Sequence, residues 1–512
     1  MAINIMSEIE YILGIDIGTT GVKVILISGA GEIIDETTES HDIISLHPYW
    51  AEENPDTWWK NSCVAIQRLA LKHPLAFKSL RAVGVSGMVP AIVLLDDKGQ
   101  PLRNSIQQND ARATLQIARI KATLDQDKLY ARTGGYTNQQ HVLPRLLWVK
   151  ENEPEVWSKV DCVMGSYDYI VYKLTGKKTV EINWAVESGL FDIKSQCWIE
   201  SYLQEFDINS KILPEVMNSI DIVGSTRFPD NEIELLNDVP VISGSADHVA
   251  STLAAGILNE GDLLIKFGGA GDILYCIDNI LPEECLFFDY HIVPNKYLLN
   301  GCMASSGSLV KWFTKDILNE SSSDVLKNLD KAAEKIPPAS DGLIILPYFL
   351  GEKTPIFDPK ARGVFVGLTL SHTKAHIFRA ILESVIYGFR HHIDILHERG
   401  YHPKNIIATN GGAKSSFWCQ IAADVLNAPI KSYPSHPGSA MGVSFLAGMA
   451  VGVFEDFQQI NKFLTESKIY QPVKENVDVY NKAYRLYRQI YPQMQSAFVG
   501  LETLYHDSGF SQ

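Results

Sequence analysis

The sequence has no basic excess. Its 512 residues carry 45 Lys and Arg against 60 Asp and Glu, a formal net charge of −15. Nucleic acid and anionic membrane both require a basic face, and this balance argues against either as a partner. Cysteine pairs are also lacking. Seven cysteines are scattered at positions 63, 162, 197, 276, 285, 302 and 419, with no CxxC among them. That pattern excludes a disulfide framework or a zinc knuckle and suits a reducing, cytoplasmic setting. No run of about 18 apolar residues could cross a bilayer, and the first ten residues have no basic region or long apolar run that would direct export. No Pro/Ser-rich linker or low-complexity segment interrupts the chain. Hydrophobic residues make up 46% and charged residues 21%, which are ordinary globular values. The length exceeds what one core can organise, so two large domains are expected.

The organising stretch is Tyr11-Ile-Leu-Gly-Ile-Asp-Ile-Gly-Thr-Thr-Gly-Val-Lys-Val-Ile-Leu-Ile-Ser28. Apolar residues flank an Asp16-Ile-Gly18-Thr19-Thr20-Gly21 turn, which reads as a β-hairpin. Gly18 and Gly21 let backbone approach a ligand closely, consecutive N–H groups form an anion nest, and two hydroxyls add donors. Asp16 is placed to hold a hydrated Mg²⁺ bridging nucleotide phosphates. The competing reading is an ordinary hairpin whose glycines only satisfy the turn. Further on, Ala82 to Ser86 reads as a buried strand ending at Gly87-Met88-Val89-Pro90, the wall of a pocket. Gln107-Gln108-Asn109-Asp110-Ala-Arg112 reads as opening a helix charged on its outer face. The segment from His47 through Trp50 to Trp59 reads as a loop with aromatic packing beneath it.

At Val239 to His248 a buried strand runs into a Gly-Ser-Ala-Asp turn and then a helix of small residues. Asp247 is either a helix N-cap, a role Ser245 also suits, or a general base projecting into a cleft. Asp262-Leu-Leu-Ile-Lys-Phe-Gly268-Gly269-Ala-Gly271-Asp-Ile-Leu-Tyr-Cys-Ile277 then repeats the opening hairpin in plan, about half a chain later. Two domains of one plan follow, 1–255 and 256–512, each offering a glycine turn to the same polyphosphate. Asn410-Gly411-Gly412-Ala413-Lys414 is a strand-to-helix turn whose two glycines could lie against a planar base. The stretch Gly438 to Gly448 reads as a helix of small residues made for close packing and not for chemistry.

Laid out in order, these segments resemble the FGGY family of carbohydrate kinases over nearly the whole length. The most specific part is Leu346-Pro-Tyr-Phe-Leu-Gly-Glu-Lys-Thr-Pro355 with Asp358, Arg362 and Gly363. Gly363-Val-Phe-Val-Gly367-Leu and His376-Ile-Phe-Arg-Ala-Ile-Leu-Glu383 fit the family's signature spacing. Asn410 to Gln420 with Ala423-Asp424 resembles the adenosine motif, and Pro48-Tyr-Trp-Ala-Glu with Pro55 and Trp58-Trp59 is typical of the xylulokinase branch. The resemblance implies an α/β architecture of two actin-like ATPase (ribonuclease H-like) domains facing across a nucleotide and sugar cleft. It implies transfer of the ATP γ-phosphoryl to a hydroxyl of a small sugar, a ketopentose such as xylulose, with Mg²⁺ as cofactor. Asp16 would organise the metal and Asp247 would be the catalytic base. Thr19, Thr20, Lys23, Gly268, Gly269 and Gly307 would face the phosphates, and Gly412, Ala413 and Ser416 the adenosine. Met88, Val89, Pro90, Asn109, Asp110, Gln140 and His248 would contact the sugar. An exposed helix surface in the second half would support a homodimer.

The chain also departs from the family pattern. Many relatives have Gly-Thr-Ser or Gly-Thr-Gly where this chain has Gly268-Gly269-Ala270, so one hydroxyl is missing, a loss of ~1.5–3 kcal/mol at most. Val89-Pro90 stand where xylulokinases end a sugar loop in Met-His and glycerol kinases in Arg-Glu. His248 stands where Asn or Gln is usual. These departures leave room for another ketose or a polyol of the glycerol or erythritol type. A non-catalytic sugar- and ATP-binding regulator and a chaperone-like ATPase are the remaining readings.

Overall fold

Uninterrupted β-branched and aliphatic runs form strands that are buried on both faces, the signature of a sheet covered by helices on either side. The computed structural model describes residues 9–47, 49–227, 238–320, 322, 324–436 and 438–507; Pro48 of the aromatic motif lies outside them. In the first half the strands are β1 (Tyr11–Gly18), β2 (Gly21–Ser28), β3 (Ile33–Ser40), β4 (Leu80–Gly87), β5 (Ile222–Ser225), β6 (Pro240–Ile242) and the short β7 (Ser245–Ala246). They order as β5-β6-β4-β1-β2-β3, with β7 alongside β4. In the second half β8 (Asp262–Phe267), β9 (Gly271–Ile277), β10 (Phe287–Tyr290), β11 (Tyr297–Met303), β12 (Asn405–Thr409), β13 (Ile430–Ser432) and β14 (Lys468–Tyr470) order as β10-β11-β9-β8-β12-β13-β14.

The two sheets share one plan. Each begins with an antiparallel hairpin, β1–β2 and β8–β9. Each first strand then pairs in parallel with a strand far along the chain, β1 with β4 and β8 with β12. A second parallel neighbour follows, β6 beside β4 and β13 beside β12, and an antiparallel strand closes the edge. The expected internal repeat is therefore a repeat of topology. Among the described residues no helix is long and apolar enough to cross a membrane, and no disulfide joins any of the seven cysteines.

Two helices position the cleft. Helix α1 (Asp247–Ala254) follows β7, and helix α2 (Ser439–Ala450) returns from the second half to pack on the first sheet. Ala440, Met441, Val443, Phe445, Leu446 and Ala447 lie in the same core as β1, β2 and β4, together with Phe454, Ile460 and Phe463. Glycines set how close α2 comes. A Cβ on Gly14 of β1 would stand 2.2 Å from the Ala440 carbonyl oxygen, one on Gly84 of β4 2.3 Å from that of Val443, and one on Gly442 of α2 2.0 Å from that of Ala250 in α1. Side chains cannot occupy such gaps. The close packing expected of this helix is thus observed, but its N-terminus opens on the cleft.

The segment Gln107–Ala113 is not the start of a helix; the helix runs over Thr114–Thr123. Its charges are not on an outer face either. Asp110 and Arg112 form a fully buried ion pair at 2.7 Å, and Arg112 also meets Glu52 at 2.7 Å. The guanidinium lies 3.8 Å from the Trp50 ring centroid and 4.8 Å from that of Trp148, which accounts for the aromatic segment as packing. Gly442→Val should lower unfolding stability by at least ~2 kcal/mol through overpacking against Ala250, read from the urea midpoint. An unchanged midpoint would show that the α1–α2 approach tolerates a side chain.

Candidate active site

Asp16 sits near the end of β1, one strand from Ser86 of β4, whose hydroxyl donates to its carboxylate at 2.8 Å. Burial and the facing charge of Asp247 raise its pKa, against hydrogen bonds from Ser439 and Ser86 and the charge of Lys23. Ser439 is the first residue of α2, so the helix read as packing alone also supplies a donor to this carboxylate. Asp247 is the first residue of α1. The N-cap position is Ala246 and no side chain caps the helix, so the capping reading is not what the backbone builds. The Asp247 side chain is 37% exposed. Burial works to raise its pKa, yet the His248 hydrogen bond and the charge of Lys266 outweigh it and hold the carboxyl below its usual value.

His248 ties this carboxylate to both halves of the chain. Its Nδ1 lies 3.6 Å from Asp247 Oδ1, and its Nε2 lies 3.0 Å from Asp289 Oδ2 and 3.7 Å from Glu187 Oε1. Burial would lower the imidazole pKa, but Asp289, Asp247 and Glu187 raise it well above the ordinary value, so the ring is an imidazolium at neutral pH. Glu187, His248 and Asp289 offer ligand atoms within 4.8 Å of one another. The imidazolium already supplies the cation that such a cluster would otherwise draw from a metal. Burial and the Asp289 charge push Glu187 up to about 8, against His248. Two buried acceptors beside the ring, Asp289 Oδ1 and Asn300 Oδ1, have no hydrogen-bond partner.

The residues named from sequence divide into groups. Asp16 and Lys23 line a cleft of about 880 Å³ with Asn410, Gly411, Lys414, His436, Gly438 and Ser439. Lys23 is paired with Glu36 at 2.7 Å. Thr19 and Thr20 form the tip of the β1–β2 turn and Gly268 and Gly269 lie in the β8–β9 turn. The Gly268 and Gly269 carbonyls accept the N–H groups of Ser306, Gly307 and Ser308, which brings Gly307 into the second turn. Ala413 is buried, and a Cβ on Gly412 would strike the Trp418 ring at 2.6 Å, so Gly412 is required by packing. Ser416 lines a different cavity with Phe417, Gln420 and Tyr470, apart from Gly411 and Lys414.

Of the sugar-side residues, Gln140 shares a small cavity with His141 and Glu187, and Glu187 meets His248. Met88, Val89 and Pro90 are buried at the end of β4, and the Pro90 carbonyl accepts from Arg145 at 2.7 Å. Asn109 is exposed in a turn. Asp110 is engaged by Arg112 and the Ala51 N–H at 2.7 Å and is 1% exposed, which makes it a framework residue and leaves no free oxygen for a ligand. Sequence reasoning missed Glu187, Asp289, Lys266 and Ser439. For the three charged residues the available signal was a lone charge in an otherwise apolar stretch; Ser439 had none. The 346–355 signature acts from behind: Glu352 accepts the Ala304 N–H at 2.8 Å, and Thr354 bonds Cys302 on β11, bracing the approach to Ser306 and Gly307.

Comparison with known proteins shows the family. Residues 11–254 match the N-terminal domain of the FGGY family of carbohydrate kinases and residues 280–451 its C-terminal domain. The xylulose kinase of Staphylococcus epidermidis (strain ATCC 12228) is 30% identical over 505 residues, 97% of this chain and 99% of that protein. The Bacillus subtilis gluconokinase is 26% identical, over 92% of this chain and 93% of that protein. The crystal structure of xylulose kinase from Rhodospirillum rubrum superposes with a TM-score of 0.88 at 36% identity, covering 96% of this chain and all of that one.

The Glu187 environment carries a pH signature. A carboxyl whose folded pKa stands near 8 against an ordinary 4.5 binds more protons in the folded state between those values. Its contribution is intact below the lower value and stability falls as pH rises towards the upper one. Glu187→Gln should flatten the decline of the thermal midpoint between about pH 5 and 8; a slope equal to that of the unaltered protein would contradict the assignment.

Proposed function

The chain belongs to the FGGY family of carbohydrate kinases and has that family's actin-like ATPase fold, and we propose that it phosphorylates a neutral ketose, a ketopentose of the xylulose type, with Asp247 as general base. It is a phosphotransferase acting on an alcohol, and ATP is the donor expected of its family. The observation that carries the base assignment is the placement of two carboxylates, Asp16 near the end of β1 and Asp247 directly after β7, on either side of β4, near enough for the Asp247 charge to raise the Asp16 pKa while Asp247 stays ionised. Each stands where a strand ends beside the first phosphate turn. We divide the labour at residue 255, the first half holding the sugar and the second the adenosine. Seven cysteines with no disulfide among them fit a cytoplasmic enzyme.

The site's charge fits a metal. Asp16 is a buried carboxyl near a second carboxylate, an all-oxygen donor set, which suits a hard divalent cation. Asp16 would hold Mg²⁺, which when bound neutralises phosphate charge. Asp247 accepts the proton of the attacking hydroxyl as the new P–O bond forms, a step that needs positioning more than a strong base. Hinge closure between the halves excludes water, which the same carboxylate would otherwise activate.

The sugar pocket's polarity supports a neutral substrate. Glu187, Asp247, Asp289, Asn300 and Gln140 present acceptors. Of the cations near them, His248 is engaged by Asp247, Asp289 and Glu187, and Arg145 by the carbonyls of Pro90, Gln107 and Gln140, while Lys266 and Lys353 act on Asp247 and Glu187 by charge. Acceptors predominate there, which favours hydroxyl groups over a further carboxylate. Such a pocket favours ketoses and equally admits a polyol of the glycerol or erythritol type. It weighs against an aldonate.

An ADP-release screen of the purified protein against ketoses, polyols and aldonates should find turnover with a neutral ketose, and gluconate poorer by ~100-fold or more. Preference for gluconate would overturn the pocket argument. Asp247→Ala should cut sugar-dependent turnover by ~10²–10⁴-fold with Mg·ADP binding retained; turnover near the original level would remove Asp247 from its role.

A further inference from the structure

The two glycine hairpins carry inverted charges. In the first, Asp16 lies two residues before Gly18 and faces Lys23 in the β1–β2 register. In the second, Lys266 lies two residues before Gly268 and faces Asp272 in the β8–β9 register. By the internal symmetry, Lys266 occupies the place in the second half that Asp16 occupies in the first. Its ammonium is largely buried and 3.5 Å from the Asp272 carboxylate, one loose partner for three N–H donors. The charges of Asp247 and Asp16 also act on it, so it lies within electrostatic reach of both candidate catalytic carboxylates.

The second turn is poor in hydroxyls, since Gly269 and Ala270 replace residues that would carry one. Its surroundings are rich in them. Ser305, Ser306 and Ser308, which follow β11, and Thr409, which faces Lys266 in the β8–β12 register, all have buried side-chain oxygens with no hydrogen-bond partner. Buried polar groups are seldom left so, and a cluster of them beside a buried ammonium points to an absent anionic ligand. A hairpin-stabilising ion pair alone would explain Lys266 and Asp272 but not four orphan hydroxyls.

We propose that Lys266 is a catalytic residue of the second phosphate turn, its ammonium binding the γ-phosphoryl group of ATP in place of the missing turn hydroxyl. The inference rests on the kinase reading above. In the transfer, the bond from the γ-phosphorus to the β–γ bridging oxygen breaks, and that oxygen leaves with the electron pair as part of ADP. A bond from phosphorus to the sugar oxygen forms, and the hydroxyl proton passes to Asp247. Lys266 keeps its protons and neutralises charge on the non-bridging oxygens, where a preorganised cation acts most strongly. A lysine serves as a point charge there and needs no bidentate geometry.

The test compares Lys266→Met, Lys266→Arg, Asp272→Asn and the double variant Lys266→Met/Asp272→Asn in the full chain, using Mg·AMP-PNP and Mg·ADP as binding probes. Lys266→Met should lower kcat by ~100-fold or more. It should weaken Mg·AMP-PNP at least tenfold while leaving Mg·ADP within about twofold, which also reports a folded site. Lys266→Arg should recover part of both losses, and Asp272→Asn should stay within a few-fold of the unaltered protein. Equal effects on both nucleotides, or recovery of activity in the double variant, would reduce Lys266 to an ion-pair partner and overturn the proposal. The nucleotide comparison needs no sugar, so absence of turnover on every sugar tested would count against the kinase reading while leaving this inference to be judged by binding.

Discussion

The close approach of one helix to one sheet is the constraint on which the rest depends. Helix α2 lies so near β1, β4 and α1 that three glycines face backbone carbonyls where any side chain would collide. That packing fixes β1, and with it Asp16. It also fixes α1, and with it Asp247. It sets the first residue of α2, Ser439, as a donor to Asp16. Two like charges are therefore held in a common cleft by a rigid, close-packed core, which does not relax to relieve their repulsion. Such an arrangement is costly unless a cation and a substrate complete it, and that is the sense in which the site is preorganised.

Charge is distributed with the same logic on the other side. The second hairpin presents a cation where the first presents an anion, so the two turns carry opposite charges at matching positions. His248 links them to the sugar side by bonding Asp289 of the second half while touching Asp247 of the first. An asparagine or glutamine there would bond without charge. The imidazolium instead consumes the negative charge of a carboxylate cluster and leaves unpaired acceptors for hydroxyls.

Much of this was legible in the linear sequence because it rests on local pattern. The Gly-x-x-Gly turns between apolar strands announced the hairpins, and their recurrence announced the repeated plan. The aromatic segment near Trp50 is packing, as its composition suggests, here around Arg112. What was not legible depends on register or on long-range partners. Lys266 and Asp272 are six positions apart and become a pair only once the hairpin register is known. Asp110 resembled a ligand because a carboxylate in a turn carries no mark of its partner; the buried guanidinium of Arg112 decides its role. The stretch Gly438 to Gly448 was read as packing because small residues say how closely a helix can lie and nothing of where its end points. Glu187 and Asp289 sit singly in apolar stretches, and only the tertiary fold brings them to His248.

The most direct measurement is a crystal structure of the protein with Mg·ADP, aluminium fluoride and a ketose that it phosphorylates. The account requires the fluoride plane to lie between the two glycine turns, in contact with Lys266, with the metal on Asp16 and an acceptor hydroxyl within hydrogen-bond reach of Asp247. A fluoride plane remote from the second turn, or a sugar whose hydroxyls all lie beyond reach of Asp247, would contradict it.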